Sequence, residues 1–397
     1  MYSYRLTAGI RADLNRLAAL RLSLDRSTVL PRRWQGRLRR DLEAESVAAS
    51  TAMEGVPVTV EEVRRILAGD RPASVASGDA RLVEGYRDAM SYVLRRADDP
   101  AFTWQPELIL GIHDRVMAGA FARGAGRFRT GNAHLAVSGT GRRVYRPAPA
   151  EQVAGLVNAL ARFVERRKAD LAAPVLSALV HVRLAGIHPF ADGNGRTARV
   201  LASLAMHRGG YARPELTSLE EWWGSHRETY YAAFSCLGDC WRSTADVTPF
   251  VAEHVRAQRQ QADALSLRLQ VERQVWQLLE DIVTEDLGAP PRLADALYDA
   301  FFGRPVTNRY YRELADVSVA TATNDLARLE ASGLMASSGA GRSTGYTGTA
   351  ALLDRVAANL GDERWAPDRA TPLEERRALL VRALARRSPR RSVAAQR

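Results

Sequence analysis

Between two helical runs of apolar residues the chain carries a polar, glycine-rich interruption, and no other segment limits the fold as tightly. Leu176, Leu179, Val180 and Leu184 recur at helical spacing before it, and Val200, Leu201 and Leu204 after it. Residues 187–201 read IHPFADGNGRTARVL. The pattern predicts helix, loop, helix, with the reactive side chains on the loop, where a rigid scaffold presents functional groups. Gly193, Asn194 and Gly195 expose backbone amides and lead into a helix N-terminus, whose unpaired N–H groups and positive dipole form an anion site. Arg196 stands at the mouth of that site and Arg199 one turn further on, a pair suited to a polyphosphate. Asp192 is a hard oxygen donor beside the phosphates and suits Mg²⁺. His188 precedes the cradle, placed to take a proton from an attacking hydroxyl near neutral pH. Phe190 anchors the loop by burying its ring. The alternative for the same residues is a buried histidine in a helix-capping turn.

The rest of the chain reads as mainly α. Ile10, Leu14, Leu17, Leu20 and Leu24 mark a first helix, and a second runs from about Arg37 to Met53 before Gly55 and Pro57. Thr59 with Glu62 has the spacing of a capping box. Gly69 to Gly78 is a loop or short linker, and Asp79 to Arg259 is mostly helical. The exception is 124–149, rich in Gly and Pro, where His134–Val137 and Arg143–Tyr145 pair as a hairpin across Ser138–Arg142. A lone hairpin is marginal, so this one leans on the helices. Residues 260–288 form another helix rich in Gln and Arg.

At 397 residues the chain is long enough for two or three domains. Its net charge is +11, and Lys168 is its single lysine, so arginine carries the positive charge. Arginine suits phosphate and nucleic acid, although a biased genome composition gives the same excess. The two cysteines, Cys236 and Cys240, sit four apart as on one helical face. They are too few for a disulfide scaffold and lack companions for a metal site, so they read as quiet thiols of a cytoplasmic protein. No signal peptide is read at the N-terminus, and no run of about 18 apolar residues would span a membrane.

The loop resembles the signature of the Fic family, H-x-F-x-[DE]-G-N-G-R-x-x-R, with every fixed position filled by His188, Phe190, Asp192, Gly193, Asn194, Gly195, Arg196 and Arg199. Gly126-Arg127-Phe128-Arg129, the hairpin and Pro147-Ala148-Pro149 look like the family's flap, which pairs with an extended target segment. Arg227 to Tyr231 resembles its R-x-x-Y-Y helix, which implies Tyr230 and Tyr231 near the adenine pocket; core packing is the other reading of the pair. Where relatives carry an adenine-contacting Asn, this chain has Gly238. The resemblance implies a Fic-type helical domain with a β-hairpin flap and a protein adenylyltransferase. Its substrate is ATP, with Mg²⁺ on Asp192, and its acceptor is a Ser, Thr or Tyr hydroxyl on a protein target or on the chain itself. Ser50-Thr51-Ala52-Met53-Glu54-Gly55 resembles the family's inhibitory motif [ST]-x-x-x-E-[GN], which implies that Glu54 pairs with Arg199 in the γ-phosphate place. An ordinary helix C-cap with a solvated glutamate is the bland alternative.

Residues 310–346 have a separate character. A short helix ends at Leu314-Ala315, Asp316-Val317-Ser318 turns the chain, and Ser318 caps a helix with Val319, Ala322, Leu326 and Leu329 on one face. Thr321, Thr323, Asn324 and Arg328 lie elsewhere on it. Gly333 ends it, and a hairpin with Gly339, Gly341, Arg342 and Gly345 follows. This resembles a winged helix–turn–helix with recognition helix 318–332 and wing 334–347, a module that binds DNA or serves dimer and protein contacts. A basic tail follows, with Leu373, Leu380 and Leu384 on one helical face and a disordered final stretch of about ten residues. The expected domains are 1–78, helical with the inhibitory motif; 79–260, catalytic; 261–363, linker helix and winged helix; and 364–397, the tail. Two other functions fit the same motifs: a DNA-binding regulator that senses nucleotide, and an enzyme that removes AMP.

Overall fold

A computed structural model describes residues 2–26, 32–136, 143–211, 219–339, 344–360 and 370–386. The hairpin tip, the wing tip with Arg342 and the last residues of the tail lie outside the described residues. Contact density divides the chain into two units, Met1–Ala264 and Leu265–Arg397. The division falls within one continuous helix. That helix starts at Thr248, well before the expected residue 260, because Thr248 donates its N–H to the Asp246 carboxylate and the chain turns there.

The first unit is helical: α1 (Ala8–Arg26), α2 (Arg32–Met53), α3 (Val60–Leu67), α4 (Ser77–Ala97), α5 (Pro106–Val116), the strands β1 (Leu135–Ala136) and β2 (Arg143–Tyr145), α6 (Val153–Arg167), α7 (Ala173–Ile187), α8 (Asn194–Arg208), α9 (Glu220–Ser225), α10 (Arg227–Ala233) and the start of α11 (Thr248–Asp281). At its centre α7 packs along α8, with α6 against α7 and both α4 and α5 against α8. The sequence stripe predicts one buried face on α7. The structure buries every residue of it except Ala185, as suits a helix apolar on all sides. Two of its polar members have clear partners: the Ser177 hydroxyl donates to the Ala202 carbonyl, and the Arg183 guanidinium lies over the Phe163 ring. α2 packs against α3, α4 and α9, which brings its C-terminal end to the α7–α8 loop. The capping box of α3 forms as read, Glu62 N–H to Thr59 Oγ1 and Thr59 N–H to Glu62 Oε2.

The hairpin pairs Leu135 with Tyr145 and Ala136 with Arg143. It does lean on the helices: the Tyr145 hydroxyl donates to the Gly186 carbonyl, and Arg146 N–H bonds the Asp239 carbonyl. The cysteines do not share a helical face. Cys236 lies in the 3₁₀ turn Phe234–Leu237 and Cys240 in a bridge to Arg146. Between them Gly238, at φ 71° and ψ −151°, takes a conformation that only glycine holds without strain. The Arg242 guanidinium lies where a side chain at 238 would point.

The second unit holds α12 (Leu293–Phe301), β3 (Val306–Thr307), α13 (Asn308–Ala315), α14 (Val319–Ala331), β4 (Met335–Ser338), β5 (Gly345–Gly348), α15 (Ala350–Leu360) and α16 (Leu373–Ala385). Its antiparallel sheet has the order β3-β5-β4, with Val306 opposite Tyr346 and Ser337 opposite the same residue. Thr307 and Ser318 cap α13 and α14 through their hydroxyls. Ala322, Leu326 and Leu329 are buried, but Val319 is 54% exposed, since the first residue of α14 projects beyond the face that the core covers. Arg292 grips Asp325 through two nitrogens, and the Tyr311 hydroxyl donates to the same carboxylate. Leu380 and Leu384 of α16 are buried.

Candidate functional site

His188 ends α7 in the left-handed conformation, φ 53° and ψ 60°, which swings the chain out of the helix and into the loop. Burial lowers its imidazole pKa to about 4, against a hydrogen bond from the ring to the Ala185 carbonyl that favours the charged form. The ring is therefore neutral at pH 7, with its other nitrogen an acceptor. Asn194 closes the loop: its side-chain amide donates to the Phe190 carbonyl and accepts from the Phe190 N–H. That side chain is spent on shaping the loop, so what Asn194 offers an anion is its backbone. α8 begins at Gly193, which has no side chain to cap the first turn, and the N–H groups there point outward.

Arg196 is 3% exposed, yet its Nε and Nη1 have no hydrogen-bond partner, and its Nη2 makes long contacts, 3.5 Å to Asp192 Oδ1 and 3.9 Å to Met117 Sδ. Leaving a buried guanidinium so poorly paired is costly, and a phosphate would supply the missing acceptors. Asp192 accepts from Gly193 N–H at 2.6 Å through Oδ1 and from Arg123 Nη2 at 2.9 Å through Oδ2. Its side chain is 41% exposed. A single accessible carboxylate beside a phosphate cradle fits Mg²⁺, which takes one or two carboxylates and fills its remaining positions from substrate phosphates and water. Among the described residues no cluster of three or more His, Cys, Asp or Glu offers a metal cage.

The other end of the site comes from α2. Gly55, at φ 84°, closes that helix with Val56 N–H on the Thr51 carbonyl and Gly55 N–H on the Ala52 carbonyl, a Schellman ending that favours glycine. Glu54 is thus a helix cap, but not merely a solvated one. Its Oε1 accepts from Arg199 Nη2 at 3.1 Å. Arg199 also donates to the Ser50 hydroxyl and carbonyl at 3.0–3.1 Å, so the first and fifth residues of the motif hold one guanidinium. Burial alone would lower the Arg199 pKa; Tyr230, Glu54, Tyr86 and Glu220 around it hold it above its ordinary value. A Cβ on Gly195 would stand 2.5 Å from Glu54 Oε1, so only glycine lets this carboxylate settle on the N-terminus of α8. A negative group there is what the helix end favours.

Tyr230 is buried against Trp223, Phe234 and His181, and its hydroxyl meets His181 Nε2 at 3.1 Å and Arg199 Nη1 at 3.5 Å. Tyr231 is exposed, and its hydroxyl donates to the Met53 carbonyl. The tyrosine pair therefore supports Arg199 and the end of α2. Three further residues belong to the site. Arg129 donates to the His188 carbonyl at 2.7 Å, to Gly131 at 2.8 Å and to Ala148, tying the flap root to the residue that turns out of α7. Arg123 pairs with Asp192. His113 of α5 stacks on Phe190 with ring centroids 3.6 Å apart. Arg129 lies in a quoted motif without an assigned task. The other two carry no signal in one sequence, because a histidine on an apolar helix face reads as core and one arginine among many reads as surface.

The family model described as Fic/DOC family matches residues 103–206, which span α5, the flap and the whole α7–α8 loop. Residues 103–206 of the chain thus form a Fic domain. It is 27% identical over 220 residues to Protein adenylyltransferase Fic of Nematostella vectensis, covering 54% of this chain and 47% of that one. To Protein adenylyltransferase fic-1 of Caenorhabditis elegans it is 32% identical over 153 residues, covering 38% and 27%. The chain thus spans less than half the length of these two relatives. Among solved structures, a Fic family protein from Desulfovibrio desulfuricans superposes with a TM-score of 0.58 at 23% identity, over 88% of this chain and 98% of that one, which shows the fold. Ser50 and Glu54 lie outside the matched Fic segment, so the contact of Glu54 with Arg199 is a feature of the fold around it. No helix of the described residues is long and apolar enough to cross a membrane.

Proposed function

We propose that this Fic protein transfers AMP from ATP to a Ser, Thr or Tyr hydroxyl of a protein and is held back by Glu54. The observation that carries the reading is the anion site at the N-terminus of α8. Arg196 is buried there with unpartnered nitrogens, the neutral His188 lies alongside, and the Glu54 carboxylate lies close to Gly195, where this reading puts the terminal phosphate.

In this reading the α8 N–H groups and Arg196 hold the phosphates, and Arg199, once released from Glu54, grips the far end of the chain of phosphates. Asp192 would hold Mg²⁺, which would neutralise part of the phosphate charge. His188 accepts the hydroxyl proton as the acceptor oxygen bonds the α-phosphorus; the α–β phosphoanhydride bond breaks and pyrophosphate leaves with its electrons. Positioning and charge stabilisation carry most of such a reaction. Arg129 holds the His188 backbone while the flap presents the acceptor. Glu54 on Arg199 blocks the last part of this arrangement.

The test is transfer of label from ATP labelled at the α-phosphate, comparing the wild-type chain, Glu54→Gly and Glu54→Gly with His188→Ala. More protein-bound label in the second than in the wild-type chain, lost again in the third, supports the reading. No label in any of them, with nucleotide binding confirmed, overturns it. The second unit we read as a winged helix, with α13 and α14 as the helix–turn–helix and β4–β5 as the base of the wing, serving DNA contact or self-association.

A further inference from the structure

Both ring nitrogens of His113 are committed, and their partners fix its tautomer. Nδ1 receives the Gly126 N–H at 3.1 Å, and Nε2 lies 3.0 Å from the Asp192 carbonyl. The first partner only donates and the second only accepts, so the proton resides on Nε2. The ring is 1% exposed and lies parallel to Phe190, at 5°. A Cβ on Gly193 would be 3.3 Å from it, so the loop backbone rests on the ring's edge.

The Asp192 carbonyl shares a planar peptide with the Gly193 N–H, and the two groups point in opposite directions. Holding the carbonyl on His113 therefore aims the Gly193 N–H away from α5, where it meets Asp192 Oδ1 at 2.6 Å. From the imidazole, one rigid plane leads to the carboxylate. On the other side, Gly126 opens the segment whose Arg129 holds the His188 carbonyl.

We propose that His113 is a positioning residue of the transfer site, fixing the Asp192–Gly193 peptide and through it the carboxylate that takes the divalent cation. This rests on the nucleotide-transfer reading above for its metal, but the mechanical part does not. It predicts an atom-specific pattern. His113→Gln keeps an N–H donor near the Nε2 position. His113→Asn keeps an acceptor near Nδ1 and loses the reach to Asp192.

The experiment uses the full chain in the Glu54→Gly background. Hydrogen exchange is followed over residues 188–196, and Mn²⁺ binding with ADP is followed by the loss of the free-ion resonance signal. His113→Asn should speed exchange of the loop and weaken Mn²⁺ binding about tenfold, the scale on which outer-shell partners of metal ligands act. His113→Gln should leave both within about threefold of the parent, with faster exchange at the Gly126 amide alone. Equal behaviour of the two variants, or a loop in the Asn variant as protected as in the parent, overturns the proposal. If the Asn variant fails to melt cooperatively, the Gln variant decides: loss of loop protection there overturns the proposal, and retained protection with an exposed Gly126 amide supports it. Absence of Mn²⁺ binding by the parent counts against the nucleotide-transfer reading, while the exchange data still decide the role of His113.

Discussion

His188 and Arg199 reach the same site by different physical routes, and each gives its own test. His188 is exposed to a proton-transfer role by its left-handed backbone and kept neutral by burial. His188→Ala in the Glu54→Gly background should reduce transfer by about 10²–10⁴-fold, the usual worth of a positioned base, while nucleotide affinity changes little. Equal loss of both in parallel assays of label transfer and nucleotide binding would make the residue structural. Arg199 is held by Ser50 and Glu54 together. Removing only the carboxylate frees the guanidinium for phosphate, so Glu54→Gly should raise transfer about tenfold or more, as a charge-assisted hydrogen bond is worth. Reversing the charge at Arg199 in that variant should abolish the gain. An unchanged rate in Glu54→Gly, with ATP bound, would remove Glu54 from the inhibitory role.

At the scale of elements, the end of α2 is the part that can be tuned without touching the reacting groups. Gly55→Ala forces a Cβ into the left-handed region and should cost about 1 kcal/mol in a melt. It should also raise basal transfer part of the way to Glu54→Gly, because the helix cap that aims Glu54 is disturbed. Thr59→Ala removes the cap of α3 and should cost about 1 kcal/mol with basal transfer unchanged. Both changes are read in the same melt and label assay, and a Thr59 variant as active as the Gly55 variant would dissolve the distinction. In the second unit, α14 gives Arg328 a task that its sequence position did not suggest: its Nη2 donates to the Leu287 and Gly288 carbonyls at 2.7 and 3.1 Å. If α14 reads DNA, binding of the full chain to short duplexes should weaken steeply as salt rises. Arg328→Ala should then lower the melting temperature of this unit rather than the salt slope. Absence of binding at low salt, by anisotropy of a labelled duplex, would leave self-association as the function of this unit.

For the whole molecule, the core of the first unit sets its tolerance of acid. Four histidines within it carry depressed pKa values: His188 at about 4, His254 at about 3, His181 well below its ordinary value and His113 below its own, each chiefly from burial. Above pH 6.5 the folded and unfolded chains hold these rings neutral alike, and they add nothing to the pH dependence. Below it the unfolded chain takes up protons that the folded chain refuses, so stability falls with pH until the folded pKa values are reached. The melting temperature should therefore decline between pH 6.5 and about 4, and His254→Phe should flatten the decline. A flat melting curve across that window in the wild-type chain would mean that these rings are hydrated in the folded state.

The sequence by itself determined the helix–loop–helix, the capping box at Thr59 and the run of helix, turn, helix and strand in the second unit. These are local: glycine, capping side chains and apolar spacing act over a few residues, so one stretch of chain states them. It also supplied both halves of the Ser50–Glu54 and Arg199 contact, as two motifs 145 residues apart in the case of Glu54. Only the tertiary structure brought them together, by packing α2 against α4 and α9. The same packing assigned Arg129 to the His188 carbonyl, His113 to the Asp192 peptide, Arg123 to the Asp192 carboxylate and Arg328 to a helix end. A guanidinium or imidazole declares no partner in sequence, because its hydrogen bonds are made to backbone groups whose positions depend on the rest of the fold. Burial of α7 on all sides was likewise settled by its neighbours, since an apolar stripe says which face is inside and not whether the other faces are covered as well.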